Sequence, residues 1–583
     1  MDAEEERRGF QKGDLEMCRR FAGYLREHLP LLAVAIAAMV GAGAAQVAGP
    51  WLIKQGIDQY ILPGRFEELW KIAGLFAGAL AAAFVCQYVQ TAAIGQVGQN
   101  VCFKLRDQLY AHLQKLPLRF FDTQPVGRTV TRLTNDIEAL SELVSSGVVA
   151  ILSDVVILAG IVCVMMWMNL KIALMAFLFL PALVFITAIF RARVRESFRT
   201  IRLKLARLNA FLNERVQGMR VLRAFNAESE TADRHAAVNA DHYEAHMDSI
   251  RLFAVYNPVV DMISTLSTAV LIAFAARGIL AGQMTFGELV AFLAYLEMFY
   301  KPIRDLAEKY NILQAAFAAM EKVFGLLDEP AEPAPRLARP VTRFAGRVKF
   351  DQVTFAYSKG IDVLERVSFE VGPGERVAIV GATGAGKSTL ASLLMGFYRP
   401  GAGTVTLDGV PVTDYDPPAL RRRVGYIAQE PFMFSGTLAE NVTLGDPEVS
   451  EDRVRRALTT CGLTASDRVL ASRMAERGAT CSVGERQLIA LARCLVFQPD
   501  LLLFDEATAA IDPMTESRLQ RAFREVSAGR TTLVIAHRPM TVRACDRILV
   551  LHRGRLVESG DHEELLRRGG VYAALFRLEE AAA

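Results

Sequence analysis

Several stretches within the first 300 or so residues are apolar for about 20 residues each, the length a helix needs to cross a bilayer. Lipid offers no partner to a backbone N–H or C=O, so a segment placed there must pair its own groups, as a helix does. The stretches run over roughly 31–53, 69–93, 147–168, 170–190, 257–281 and 285–304. Only a tight turn near Asn169 separates the third from the fourth, and Glu288, Glu297 and Lys301 interrupt the sixth, the weakest. The fourth is too apolar for a surface helix of a soluble protein. The expectation is an all-α, six-helix transmembrane domain over residues 1–327.

Charge in the connecting segments orients these spans. After the second come Lys104, Arg106, Lys115, Arg119, Arg128 and Arg132, and after the fourth Arg191, Arg193, Arg195, Arg199, Arg202, Lys204 and Arg207. Excess Lys and Arg mark the cytoplasmic side, so both termini and everything after the sixth span are expected in the cytoplasm, with the spans in a cell's inner membrane. Helical periodicity persists in these segments, as in LRDQLYAHLQKL, so the spans should continue as long helices beyond the lipid. Residues 14–30 form an amphipathic elbow suited to lie along the inner membrane surface. The N-terminal MDAEEERRGF lacks an apolar run with a cleavage site, so no signal peptide is expected. Asp154 and Asp261 fall in or near apolar spans, where an ionisable group faces the bundle interior, a cavity or a partner on another helix. Each could touch a substrate, pair with a neighbouring helix or sit at the membrane interface.

Whole-chain composition, 52% apolar and 22% charged, differs little from a soluble protein, so the apolar excess is local. A net charge of +3 gives no argument for a nucleic-acid partner. The eight cysteines form no CxxC pair and fit small buried residues in a reducing compartment.

Residues 328–343 include DEPAEPAPRLARP, a composition suited to a linker. From Phe344 to residue 583, β-like and helical runs alternate, as in an α/β fold. Here the apolar run RVAIV leads into GATGAGKST and then a helical segment. This is the phosphate-binding G-x-x-x-x-G-K-[ST] loop in its strand–loop–helix context. Gly381, Ala382, Thr383, Gly384, Ala385 and Gly386 let backbone N–H groups converge on phosphate oxygens. Lys387 neutralises the β- and γ-phosphates, Ser388 offers a hydroxyl to Mg²⁺, and the helix start through Thr389 adds partial positive charge. ATP or GTP is the implied ligand.

LLLFDEATAAID, Leu501 to Asp512, delivers two carboxylates at the end of an apolar strand. Asp505 suits Mg²⁺ held through water, and Glu506 suits the general base that polarises the attacking water. Gln429 follows a β-like run and can reach metal or water. His537, ending TTLVIAH, can reach the γ-phosphate. Either alone would be structural; both gain weight from the series.

That series, Tyr357, GATGAGKS, Gln429, CSVGERQ, LLLFDEATAAID and His537, resembles the ATPase domains of ABC transporters. The resemblance extends to the membrane half: FFDTQPVGRTVTRLTNDIE (120–138) and NERVQGMRVLRAFNAE (213–228) resemble the two cytoplasmic segments of the type IV exporter domain. It implies a half-transporter that dimerises with exchanged helices. Tyr357 would stack on adenine. Ser482, Gly484 and Glu485 would contact ATP held by the partner's loop, and Asp512 would lie in the segment crossing the interface. Glu476, Arg477 and Gly478 would couple the ATPase to the membrane domain. The implied function is ATP-driven export by alternating access, its cargo an apolar or amphipathic small molecule or lipid.

The sequence departs from the family where LSGGQ is usual and Cys481, Ser482, Val483, Gly484 and Glu485 stand. Ser482 and Gly484 keep their contacts possible. Val483 adds bulk, and Glu485 sets a carboxylate near a triphosphate, unfavourable unless it points away or pairs. AAID also stands where SALD is common. This combination resembles the member of heterodimeric exporters that keeps the catalytic Glu, its partner being a different chain with LSGGQ. A homodimeric lipid flippase is the alternative, and an ATP-gated channel or regulatory relative the alternative of another class.

Overall fold

The computed structural model describes residues 12–333, 343–358, 360–464, 466–505, 513–536 and 539–582. The chain divides into two compact units. One holds residues up to 114 and 126–329, and the other holds 115–125 with 330 onward.

The first unit is helical. Among the described residues, five helical segments are long and apolar enough to cross a membrane: Leu29–Ile61, Phe66–Leu113, Val126–Met168, Leu170–Gln217 and Glu228–Leu280. Each contains one of the first five expected spans, and several run on through the charged segments without a break. The turn between the third and fourth falls at Asn169. Its extended backbone ends one helix, and its side chain accepts the N–H of Ile172 to start the next. The sixth stretch lies in a single helix of 42 residues, Phe286–Leu327. It is not one of the five apolar segments, because Glu288, Glu297 and Lys301 all fall in its apolar stretch. Glu288 closes a capping box with Thr285 and pairs with Lys54 at 3.0 Å. Asp58 clasps the same helix start, accepting Thr285 Oγ1 at 2.6 Å and the Gly287 N–H at 2.9 Å. One of the charges that weaken the sixth span's hydropathy, Glu288, thus ties it to the first.

Aromatic packing holds the helices deeper down. Phe292, Tyr295 and Tyr300 are fully buried, and Tyr295 Oη donates to the Val47 carbonyl at 2.6 Å. Phe190 stacks on Tyr256 at 3.7 Å between ring centres. Asp154 forms an ion pair with Lys309, so it pairs with another helix. Asp261 is exposed.

The second unit has twelve described strands. They are β1 (Val348–Phe355), β2 (Leu364–Val371), β3 (Arg376–Val380), β4 (Ala402–Leu407), β5 (Val410–Pro411), β6 (Val424–Ile427), β7 (Gly436–Thr437), β8 (Arg473–Met474), β9 (Leu501–Asp505), β10 (Thr531–Ile535), β11 (Arg547–His552) and β12 (Arg555–Gly560). The main sheet has the order β12-β11-β3-β10-β9-β6, and a second sheet the order β2-β1-β4-β5. In the main sheet β11, β3, β10, β9 and β6 are parallel, with β12 antiparallel at one edge. β3, β9 and β10 are near-continuous runs of buried apolar residues, as a sheet covered on both faces requires. Helix Lys387–Leu394 packs Leu390, Leu393 and Leu394 into the cluster that holds Val348, Phe350 and Leu364 of the second sheet. Helix Val483–Val496 packs in a separate cluster with Leu438, Val454 and Leu458.

Candidate nucleotide site

Parallel strands end on one side, so the loops after β3, β9, β10 and β6 share one edge of the sheet. The register is level. Ile535 pairs with Ile379 of β3 and with Asp505 of β9, and Ile427 of β6 pairs with Phe504. Asp505 therefore sits two strands from the strand that leads into Gly381. It is only 8% exposed. β10, which His537 follows by two residues in the sequence, lies between β3 and β9. His537, Glu506 and Asp512 lie outside the described residues. Gln429 follows β6 and is exposed.

The loop after β3 shows why its glycines are needed. Gly381, Gly384 and Gly386 all have positive φ. A Cβ on Gly381 would lie 2.3 Å from the Leu551 carbonyl oxygen, and one on Gly386 2.7 Å from Leu364 Cδ2. Gly386, at φ +98°, caps helix Lys387–Leu394. Ala382, Thr383 and Gly384 are exposed on the loop and Ala385 is buried beneath it. Lys387 is buried, and its Nζ donates to the carbonyls of Gly381 at 2.7 Å and Ala382 at 3.0 Å. The ammonium is thus held inside the curve of the loop. Ser388 is exposed on the first turn and Thr389 is buried. The exposed Ser388 hydroxyl at a helix start and the buried Asp505 carboxylate are oxygen donors of the kind that Mg²⁺ takes.

Tyr357 is 42% exposed, and its hydroxyl donates to Thr389 Oγ1 at 3.2 Å. Edge-on contacts with Phe355 and Tyr398 fix its ring, at 4.9 and 5.0 Å between centres. Burial pushes the Tyr426 phenol up to about 12, with Asp505 adding to the shift, so it stays a neutral donor on β6.

Ser482 is the N-cap of helix Val483–Val496. Its Oγ accepts the Glu485 N–H at 3.2 Å while Glu485 Oε2 accepts the Ser482 N–H at 2.9 Å. The Glu485 carboxylate is paired, one of the two arrangements its charge requires. Val483 is 40% exposed and Gly484 is buried. Glu476, Arg477 and Gly478 form a single 3₁₀ turn, with Arg477 and Gly478 both at positive φ. Arg486 Nη1 donates to the carbonyls of Gly478 and Cys481, tying this turn to the segment before Ser482.

Sequence reasoning overlooked Arg486 and a second contact. Helix Leu118–Thr123 belongs to the second unit, and Tyr398 Oη donates to Asp122 in it. The only signal was an exposed carboxylate in FFDTQ and an aromatic at the end of the helix that follows the phosphate loop.

Known proteins were compared with this arrangement. Residues 32–303 match the family model described as ABC transporter transmembrane region, and residues 364–509 the one described as ABC transporter. An uncharacterised ABC transporter ATP-binding protein of Bacillus subtilis is 37% identical over 532 residues, 90% of this chain and 88% of that protein. A multidrug efflux ATP-binding/permease protein of Mycobacterium bovis is 35% identical over 567 residues, 96% of this chain but 47% of that protein. The structure of a bacterial Atm1-family ABC exporter with ATP bound superposes with a TM-score of 0.78 at 30% identity, covering 96% of this chain and 99% of that one.

Proposed function

We propose that this chain, which belongs to the ABC transporter family, is one half of an exporter that moves an apolar or amphipathic molecule out of the cytoplasm. It is a multi-pass membrane protein with an ATP-binding, ATP-hydrolysing domain. The observation that carries the proposal is the level edge of the main sheet, which carries both the strand leading into the Gly381–Thr389 loop and Asp505, in a chain that, among its described residues, also holds five membrane-length apolar helices.

In this reading helix Phe286–Leu327 supplies the sixth span, the membrane domain ends at residue 327, and the ATPase begins at residue 344 in the cytoplasm. Lys387 and the loop N–H groups hold the phosphates, and Tyr357 leaves Thr389 to stack on adenine. Mg²⁺, held by Ser388, Asp505 and Gln429, would offset charge on the phosphate oxygens. Glu506 takes the proton of the attacking water, and His537 orients the γ-phosphate. Asp512 and the segment Ser482–Glu485 meet a second half-transporter across the shared ATP. The twofold length of the mycobacterial relative supports a paired assembly. The retained Glu506 beside an altered signature supports a partner of different sequence. ATP stabilises the closed pair of ATPase domains, the cavity turns outward, and hydrolysis resets it.

ATP-dependent accumulation of an amphipathic dye in inside-out vesicles, driven against its gradient, tests export. Passive equilibration that ATP merely switches on would instead mean a channel. Purifying the chain alone tests assembly. A stable homodimer with brisk ATPase and transport would remove the heterodimer.

A further inference from the structure

Within the first unit, a cavity of about 190 Å³ opens between helices Leu29–Gly56, Leu69–Leu113 and Val149–Met168. Its position lies inside the apolar length of the bundle. Asp154 is 14 residues before the end of its helix at Met168, about 21 Å at 1.5 Å per residue, within a hydrocarbon core of about 30 Å. Its lining is nonetheless polar: Gln46, Gln87, Gln90, Thr91, Ser153 and Asp154. Among the described residues, the side chains of Gln46, Gln87 and Gln90 have no hydrogen-bond partner. Gln46 and Gln90 are half-buried and Gln87 is exposed, so at membrane depth their amide groups are costly unless something polar meets them. The one carboxylate is already answered, because Lys309 pairs with Asp154 and both side chains are largely buried, 14% and 24% exposed.

We propose that this cavity binds the polar head of an amphipathic cargo, and that it selects neutral or zwitterionic hydrogen-bonding heads over heads with a lone charge. This rests on the export reading above and narrows its cargo. The size argues for a head group, since pockets that enclose a whole drug-sized molecule run to about 300–1,000 Å³. The three amides supply both donors and acceptors. Among the described residues the Asp154–Lys309 pair leaves the lining without net charge, so a quaternary ammonium or a sulfate entering it brings a charge that no described lining residue balances. A zwitterion brings its own balance.

The test is binding without ATP, on the full assembled transporter in lipid nanodiscs. The probes are radiolabelled dodecyl chains below their micellar concentrations, with maltoside, phosphocholine, trimethylammonium or sulfate heads. The first two should bind about tenfold more tightly than the last two, the gain of one or two hydrogen bonds in a membrane interior. Lys309→Met should shift preference toward trimethylammonium and Asp154→Asn toward sulfate. The double variant, with no buried charge to destabilise it, should keep the wild-type order, and Gln46→Leu with Gln87→Leu and Gln90→Leu should abolish it. Equal binding of all four heads to the wild type overturns the proposal. So does a set of variants that changes assembly on size exclusion while leaving the head-group order intact. Because ATP is absent, neither result depends on whether the chain pumps, which vesicle uptake decides separately.

Discussion

Glu485 folds back onto the start of its own helix, its carboxylate accepting the Ser482 N–H at 2.9 Å. The N-terminus of a helix attracts anions, and this one already holds an anion of the protein's own. A triphosphate presented to Ser482 must approach past that charge.

Replacing Glu485 by Gln keeps the capping geometry, since Gln serves equally at that position. It removes the charge. ATP should then bind several-fold more tightly at the site that Ser482 completes, a gain on the order of 1 kcal/mol. Titration of the assembled transporter with a fluorescent ATP analogue reads this. Unchanged or weaker binding would mean that the carboxylate does not face the nucleotide.

Gly386 stands at φ +98°, with Leu364 Cδ2 and the Val363 carbonyl where a Cβ would go. Gly386→Ala should therefore strain the loop by at least about 1–2 kcal/mol from backbone conformation alone and weaken ATP binding about tenfold or more. Gly374, at φ +74° with open space around it, is the control. Gly374→Ala should carry the same backbone strain, about 1–2 kcal/mol of stability, and leave nucleotide affinity alone. Equal affinity in both variants would show that the loop relaxes.

Tyr398 touches the ring of Tyr357 on one side and donates to Asp122 on the other. Burial first, and Asp122 next, push its phenol above the ordinary tyrosine range, so it remains a donor at any working pH. Tyr398→Phe keeps the ring and removes the donor. Basal ATPase should stay within about twofold, while transport per ATP should fall several-fold, as loss of a charge-assisted hydrogen bond implies. Parallel loss of both activities would assign Tyr398 to folding alone.

The phosphate loop was legible because its chemistry is local: glycines, lysine and hydroxyl follow one another along a strand and a helix start. The apolar lengths of the first five spans were legible for the same reason. The sixth was harder, because Glu288, Glu297 and Lys301 lower its hydropathy, and the pairing of Glu288 with Lys54 on another helix shows why that charge stands there. Asp154 could be flagged as costly in lipid, but its partner Lys309 is 155 residues away in sequence. Glu485 looked like a conflict with phosphate until the capping box supplied its partner. Lys54 and Lys309 lie far from their partners in the sequence, which a local pattern does not hold, whereas Thr285–Glu288 and Ser482–Glu485 follow the S/T-x-x-E spacing of a capping box and were legible but overlooked.

Glu506, the residue after β9 in the sequence, is proposed as the base for ATP hydrolysis. The most direct measurement is ATP turnover and ATP retention by the Glu506→Gln transporter, compared with the wild type. The account predicts ATP binding close to wild type and turnover lower by about a hundredfold or more, the usual worth of a general base. Turnover within a few-fold of wild type would contradict it.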